Sequence, residues 1–286
     1  DKSFDMKAVR EIKKIIKEEK PDIVHTHSSF SGKLAAYLCH VPRRFYTRHC
    51  AFEMPKKLTT FPGKQINGFI NNTLATDIVA VAQAAADNLT ETGVSEKKIT
   101  VIINGVEPVR RIGDVERAEL KRSLDIADTT FVCGISARLE PYKGHSYLLD
   151  TIKEVTVEYP DLVCLIIGGG SVEAELKEKA HKLGIWDKVR FTGFVEDVAP
   201  YYNIMDLNLN CSWGTETSSL ALSEGYSLGV PAVATTFGGN PYMVTDGVNG
   251  LLVPERNSHA MAEAILRIAN DPALRKRLSE GALRLY

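Results

Sequence analysis

Arg138 and Lys143 stand five residues apart in the run Gly134-Ile135-Ser136-Ala137-Arg138-Leu139-Glu140-Pro141-Tyr142-Lys143-Gly144. Two cations held at a strand end can neutralise a diphosphate and stabilise its departure as a leaving group. The same pair would equally suit a solvated loop. A second constellation is Glu216-Thr217-Ser218-Ser219-Leu220-Ala221-Leu222-Ser223-Glu224, with two carboxylates eight residues apart. Ser218 and Ser219 fall where a helix over 218–228 begins, and unpaired amides at such a tip favour an anion. Glu216, before the helix, could accept bonds from sugar hydroxyls. Glu224, about two turns inside, could hold a vicinal diol such as a ribose. Helix capping would account for the serines but gives no reason for an acid at each end.

Glycine turns follow two more apolar runs. Gly168-Gly169-Gly170-Ser171 comes after 162–167, and Thr236-Phe237-Gly238-Gly239-Asn240-Pro241 after 231–235. Both permit backbone to approach a ligand closely, and both suit a purely structural turn. Neither is a G-x-G-x-x-G fingerprint, and no G-x-x-x-x-G-K-[ST] loop occurs, which argues against the usual NAD enzymes and ATPases. Asp246-Gly247-Val248-Asn249-Gly250 reads as a hairpin-like turn without a catalytic role. His25, His27 and His49, with Glu53 nearby, invite a metal reading. Their spacing matches no H-E-x-x-H or Cys-His ligand set, so no metal is assigned. His49, after a strand and ahead of a polar loop, suits a hydrogen-bond donor to a substrate oxygen.

Alternating elements must position these residues. A helix over the first 20 residues gives way at Pro21 to a strand over 22–27. Helix, strand, helix, strand, helix and strand follow over 31–40, 43–49, 64–77, 78–81, 84–92 and 99–103. From Phe131 the alternation restarts, with strands at 131–136, 162–167, 189–192, 206–210, 231–235 and 251–253. This is the pattern of α/β units with parallel sheets, covered on both faces, with ligands at the carboxyl ends of strands. The expected division is a partial domain over 1–107, a linker with a short helix over 108–128, and a nearly complete domain over 129–286. The first domain supplies about four strands, fewer than a doubly wound domain usually needs, so it is expected to be incomplete.

Composition narrows the function further. With 286 residues, 35 Lys plus Arg and 36 Asp plus Glu, the net charge is -1. That balance gives no ground for a nucleic-acid partner. Five dispersed cysteines without a C-x-x-C pair suit a reducing compartment. No apolar run reaches about 18 residues, so no membrane span is expected. The basic first helix, and Lys56 and Lys57 ahead of Phe61, Phe69 and Ile70, allow peripheral association with an anionic membrane through the first domain. Interspersed glutamates dilute the helix's charge.

Taken together, these segments resemble family 4 of the retaining, metal-independent glycosyltransferases with the GT-B fold. The resemblance rests on the E-x7-E element Glu216 to Glu224 and the 138–144 loop. Gly168-Gly169-Gly170, Phe191-Thr192-Gly193-Phe194-Val195, Gly238-Gly239, the 246–253 segment, the 22–27 strand and Ile103-Asn104-Gly105-Val106 support it. It implies two Rossmann-like domains facing a central cleft, the second binding a UDP-, GDP- or ADP-sugar without a cofactor. By resemblance Arg138 and Lys143 bind the diphosphate, Glu224 the ribose, Glu216 and Gly239 the sugar, and Phe194 and Val195 the base. Gly134, Gly168, Gly169, Ser218, Ser219 and Leu220 join the donor site. His49 approaches the donor sugar, and His27 lies on the acceptor side. The implied activity is transfer to a glycan or lipid-linked acceptor with retention, in the cytoplasm or at the inner face of its membrane. A nucleotide-sugar-binding module without turnover and a GT-B epimerase are the alternatives. The chain departs from the family at Ser218, where an aromatic is usual, at Tyr242, often acidic, and at Ala82, often Ser. The resemblance also implies missing segments before Asp1 and after Tyr286.

Overall fold

The computed structural model describes residues 4–286. The chain divides into two compact units, Asp1–Asn104 and Gly105–Tyr286. The first unit runs α1 (Met6–Glu19), β1 (Ile23–His27), α2 (Phe30–Leu38), β2 (Arg43–Arg48), α3 (Lys56–Thr59), α4 (Gly63–Leu74), β3 (Asp77–Ala80), α5 (Gln83–Glu91) and β4 (Ile99–Val101). The helix expected over the first 20 residues is α1, and residues 1–3 of that expectation lie outside the described ones. The Asp5 side chain caps it by accepting from the Lys7 amide, and Val9 and Ile16 are buried against Ala35, Ala36 and Val41. The four strands are all parallel and lie side by side in chain order.

The second unit contains α6 (Asp114–Ser123), β5 (Phe131–Ser136), α7 (His145–Glu158), β6 (Leu162–Ile167), α8 (Glu173–Leu183), β7 (Val189–Gly193) and α9 (Ala199–Ile204). It continues with β8 (Leu207–Asn210), α10 (Leu220–Ser227), β9 (Ala232–Thr235), α11 (Asn240–Met243), β10 (Gly250–Val253), α12 (Ser258–Asn270) and α13 (Pro272–Leu285). Its six strands are parallel in the order β10-β9-β8-β5-β6-β7. Every residue of β6, β8 and β9 is buried, as a parallel sheet covered on both faces requires. Strand periodicity divides the core. Cys133, Ile135, Cys164 and Ile166 pack with Leu148, Ile152 and Ile265, whereas Val132, Val163, Leu165 and Ile167 pack with Tyr202 and Ile204.

Two expectations need correction. β10 pairs with β9 in parallel, so the 246–250 turn does not close a hairpin. The short α11 supplies part of the crossover that a parallel pair needs. The helix carrying Glu224 begins at Leu220, two residues later than the serine pattern implied, with Ser219 as its N-cap residue. Glu224 therefore lies about one turn inside rather than two. Among the described residues, no helix is long and apolar enough to cross a membrane.

Candidate active site

The strand order places β5 beside β8, with β6 and β7 continuing on one side and β9 and β10 on the other. Successive crossovers leave β5 and β8 in opposite directions, opening a crevice beyond their carboxyl ends. The loops that follow these two strands carry the candidate chemistry.

After β5, the loop carries Arg138 and then a 3₁₀ turn over Pro141–Lys143 that holds Lys143. Gly144 ends it with φ of 78°, and a Cβ there would stand 2.0 Å from the Cys211 carbonyl oxygen. The 211–212 backbone is thus pressed against the Lys143 turn. Lys143 Nζ reaches Glu216 Oε2 at 2.9 Å. Arg138 is exposed, and its Nη2 donates to the Tyr142 hydroxyl at 3.0 Å.

Glu216 is the most enclosed charge of the site, with 7% of its side chain exposed. Its Oε2 also accepts from Asn210 Nδ2 at 3.0 Å and from Ser212 Oγ at 2.8 Å. Burial acts to raise this carboxyl. The Lys143 charge and the Asn210, Lys143 and Ser212 donors outweigh it and hold Glu216 below the ordinary carboxylate value. Asn210 ties the loop together: it donates to Ser219 Oγ at 3.1 Å, and its oxygen accepts from the Ser212 amide at 3.1 Å and from Asn240 Nδ2 at 3.3 Å.

The tip of α10 differs from expectation in one respect. The Ser219 amide is not free but donates to Met243 Sδ at 3.0 Å, because α11 folds back over the loop. Leu222 is the first residue of the helix whose amide bonds back, to the Ser219 carbonyl. The open amides are consequently those of Leu220 and Ala221. Ser218 Oγ is buried without a partner. Glu224 is half-buried, and its carboxyl is raised by burial, with the Tyr202 hydroxyl opposing. That hydroxyl donates to the Ala221 carbonyl at 3.0 Å and lies beside Ser136, at the end of β5.

The remaining candidates divide. The Gly239 amide donates to the Glu216 carbonyl at 3.1 Å, and a Cβ on Gly239 would fall 1.7 Å from the Thr217 carbonyl oxygen. Only glycine lets this turn lie on the 216–217 backbone. Gly168 and Gly169 lie against the Arg138 loop: a Cβ on Gly168 would stand 2.2 Å from the Ala137 carbonyl oxygen, and the Gly169 carbonyl accepts from the Leu139 amide. Phe194 stands exposed beyond β7, and Val195 is half-buried. Gly134 differs from the others. It lies two residues before the end of β5, buried, where a Cβ would meet Met205 Cε at 2.4 Å, so packing and not ligand approach requires it. Sequence reasoning missed Asn210, Ser212, Tyr202 and Met243.

His145, next to Gly144, is 1% exposed, and neither ring nitrogen has a hydrogen-bond partner. Burial and the Lys143 charge lower its pKa to about 4, so it is a neutral core residue near pH 7.

In the first unit, His27 Nδ1 and His49 Nε2 share a hydrogen bond of 2.7 Å, and His25 Nε2 bonds Thr47 Oγ1 at 2.6 Å. Burial, then the His27 and His49 charges, lower the His25 pKa. Among the described residues, no three His, Cys, Asp or Glu side chains form a metal-binding group. Lys33 is a buried cation unnoticed in the sequence. It donates to Asn71 Oδ1 at 2.8 Å and lies 3.9 Å from the centre of the Tyr46 ring. Burial foremost, and the Arg48 charge, lower its pKa to about 8.

The chain thus has two α/β units with parallel sheets, the second carrying a cation–carboxylate pair beyond β5 and β8, and its fold is that of the GT-B class. The family described as "Glycosyl transferases group 1" matches residues 116–284, and that described as "Glycosyltransferase Family 4" matches residues 1–110. The chain belongs to the glycosyl transferases group 1 family. It is 29% identical over 280 residues to an Escherichia coli UDP-Gal:alpha-D-GlcNAc-diphosphoundecaprenol alpha-1,3-galactosyltransferase, covering 94% of this chain and 72% of that one. It is 28% identical over 282 residues to a Streptomyces bingchenggensis D-inositol 3-phosphate glycosyltransferase, covering 91% and 62%. Among solved structures, the Anabaena Alr3699/HepE complex with UDP matches with a TM-score of 0.83 at 22% identity, over 97% of this chain and 76% of that one. The last comparison carries the fold.

Proposed function

We propose that the chain transfers a glycosyl residue from a nucleoside diphosphate sugar to a hydroxyl of a glycan or lipid-linked acceptor, with retention of anomeric configuration. The observation that carries this reading is the 2.9 Å contact between Lys143 and Glu216. It brings a cation and an acid from two different loops to the crevice beyond β5 and β8. The names of the E. coli and Streptomyces relatives support a glycosyl donor, and the UDP in the Anabaena complex supports a nucleotide.

In this proposal the diphosphate lies between Arg138, Lys143 and the Leu220 and Ala221 amides. Lys143 has two further N–H donors beyond the one given to Glu216. Glu216, with Oε2 engaged, offers Oε1 to a sugar hydroxyl. Glu224 accepts from the ribose diol, and Phe194 packs on the base. The bond between the anomeric carbon and the phosphate oxygen breaks, and the acceptor oxygen bonds to that carbon on the same face. The acceptor proton passes to the departing phosphate. Fixed cations and helix-tip amides stabilise the charge growing on that phosphate without a metal or cofactor. Incubating the protein with UDP-, GDP- and ADP-hexoses and acceptors, then reading the product anomer by proton NMR, tests the proposal. Retained configuration is expected. An inverted product, epimerised donor alone, or binding without turnover would refute it.

A further inference from the structure

The second unit has a basic concavity at the end of its sheet away from the candidate active site. A cavity of about 420 Å³ opens beside Met205, Asp206, Val230 and Pro231, just before β8 and β9 begin. The Lys143–Glu216 pair lies beyond the opposite, carboxyl ends of the strands. Arg111, Arg117, Arg275 and Lys276 line the cavity, and among the described lining residues Asp206 alone is acidic. Its Oδ2 is engaged, accepting from the Val132 amide at 2.9 Å. Arg117 and Arg275 also border a second cavity of about 300 Å³, to which Lys121 and Asp128 add one charge of each sign.

Packing holds these cations where they are. Asn203 on α9 donates to the Arg110 carbonyl at 2.8 Å, and its oxygen accepts from the Ile112 amide at 3.2 Å. The Arg111 segment is thereby strapped to α9. Leu120 of α6 packs on the cluster of Tyr202, Ile204 and Met205, and Arg117 stands one turn earlier on the same helix. Arg275 lies 5.2 Å from the centre of the Phe131 ring, on a helix anchored by buried Leu274 and Leu278. Arg110 is paired with Glu116 and Asp197, whereas among the described residues the four lining cations make no ion pair. Like charges around a concavity reinforce one another's potential, and arginine forks match phosphate oxygens. We propose that this cavity binds a small molecule carrying two phosphate groups, one held by Arg117 and Arg275, the other by Arg111 and Lys276. The site is distinct from the proposed diphosphate seat at α10, and the inference does not rest on that seat.

Titration calorimetry of the full chain with pyrophosphate, at constant ionic strength, tests it. Arg111, Arg117 and Lys276 are exposed, so R117Q and R111Q/R117Q/K276Q should keep the circular dichroism of wild type. R117Q should bind pyrophosphate on the order of tenfold more weakly at this site, and the triple variant should lose the site. Because the α10 seat also suits a diphosphate, the titration is repeated in K143A, which should retain the site that the triple variant lacks. Equal pyrophosphate binding by wild type and the triple variant would overturn the proposal, as would binding that K143A alone abolishes. So would wild type ignoring pyrophosphate while sedimenting with phosphatidylglycerol vesicles that the triple variant does not bind. That result would make the cavity a seat for lipid headgroups rather than for a free phosphate compound.

Discussion

Glu224 and His145 show how burial sets what a titratable residue does here. Glu224 keeps an accessible carboxylate one turn inside α10, and its proposed partner is a ribose diol. Glu224→Ala should weaken nucleoside diphosphate binding by about 1–3 kcal/mol, the range for bonds to a charged group. Calorimetry with a 2′,3′-dideoxynucleoside diphosphate should show almost no difference between variant and wild type. An equal loss for both ligands would place the diol elsewhere. His145 has no ligand role and a clear pH signature. Its folded pKa of about 4 lies below the ordinary 6.5, so between these values the unfolded chain binds a proton that the native state refuses. Its contribution is present above 6.5 and is lost as pH falls toward 4. On moving from pH 7 to pH 5, wild type should lose up to about 2 kcal/mol that His145→Leu retains, measured by urea unfolding. Parallel losses in both proteins would contradict this.

At the scale of elements, the site is an assembly of turns that lean on one another. The Gly238-Gly239 turn lies on the 216–217 backbone, α11 sends Met243 to the Ser219 amide, and Gly144 lies on the 211 carbonyl. Gly239→Ala would push its Cβ into the Thr217 carbonyl and shift the Glu216 loop. Turnover should fall on the order of 100-fold, with a stability loss of about 1–3 kcal/mol by thermal unfolding. Unchanged turnover would mean that the loop's position is irrelevant to chemistry. Much of this scaffold was legible in advance. Buried strands such as Leu162-Val163-Cys164-Leu165-Ile166-Ile167 announce themselves as continuous apolar runs bounded by glycine or proline. Elements of four to six residues, α3, α9 and α11, are too short to display a 3.6-residue period. Missing α9 hid Tyr202, and missing α11 hid Met243, which is why the Ser219 amide looked free.

For the whole molecule, the sequence indicated which residue types matter but not their pairing. Lys143 and Glu216 are 73 residues apart, and only the β10-β9-β8-β5-β6-β7 order brings their loops together. Asn210 carried no signal, since a polar residue closing a buried strand is recognisable only from what surrounds it. In the proposed site the protein's own cations neutralise the phosphate charge, so transfer should be unchanged in excess EDTA. A loss restored by magnesium or manganese would show that a metal shares that task.

The most direct measurement compares a nucleoside diphosphate with its uncharged nucleoside by titration calorimetry, in wild type and in Arg138→Ala and Lys143→Ala. Wild type should prefer the diphosphate strongly. Each variant should lose about 1–3 kcal/mol of diphosphate affinity and leave the nucleoside's nearly unchanged. Wild type binding both ligands equally, or variants that keep the full preference, would contradict a diphosphate seat between the 138–143 loop and the tip of α10.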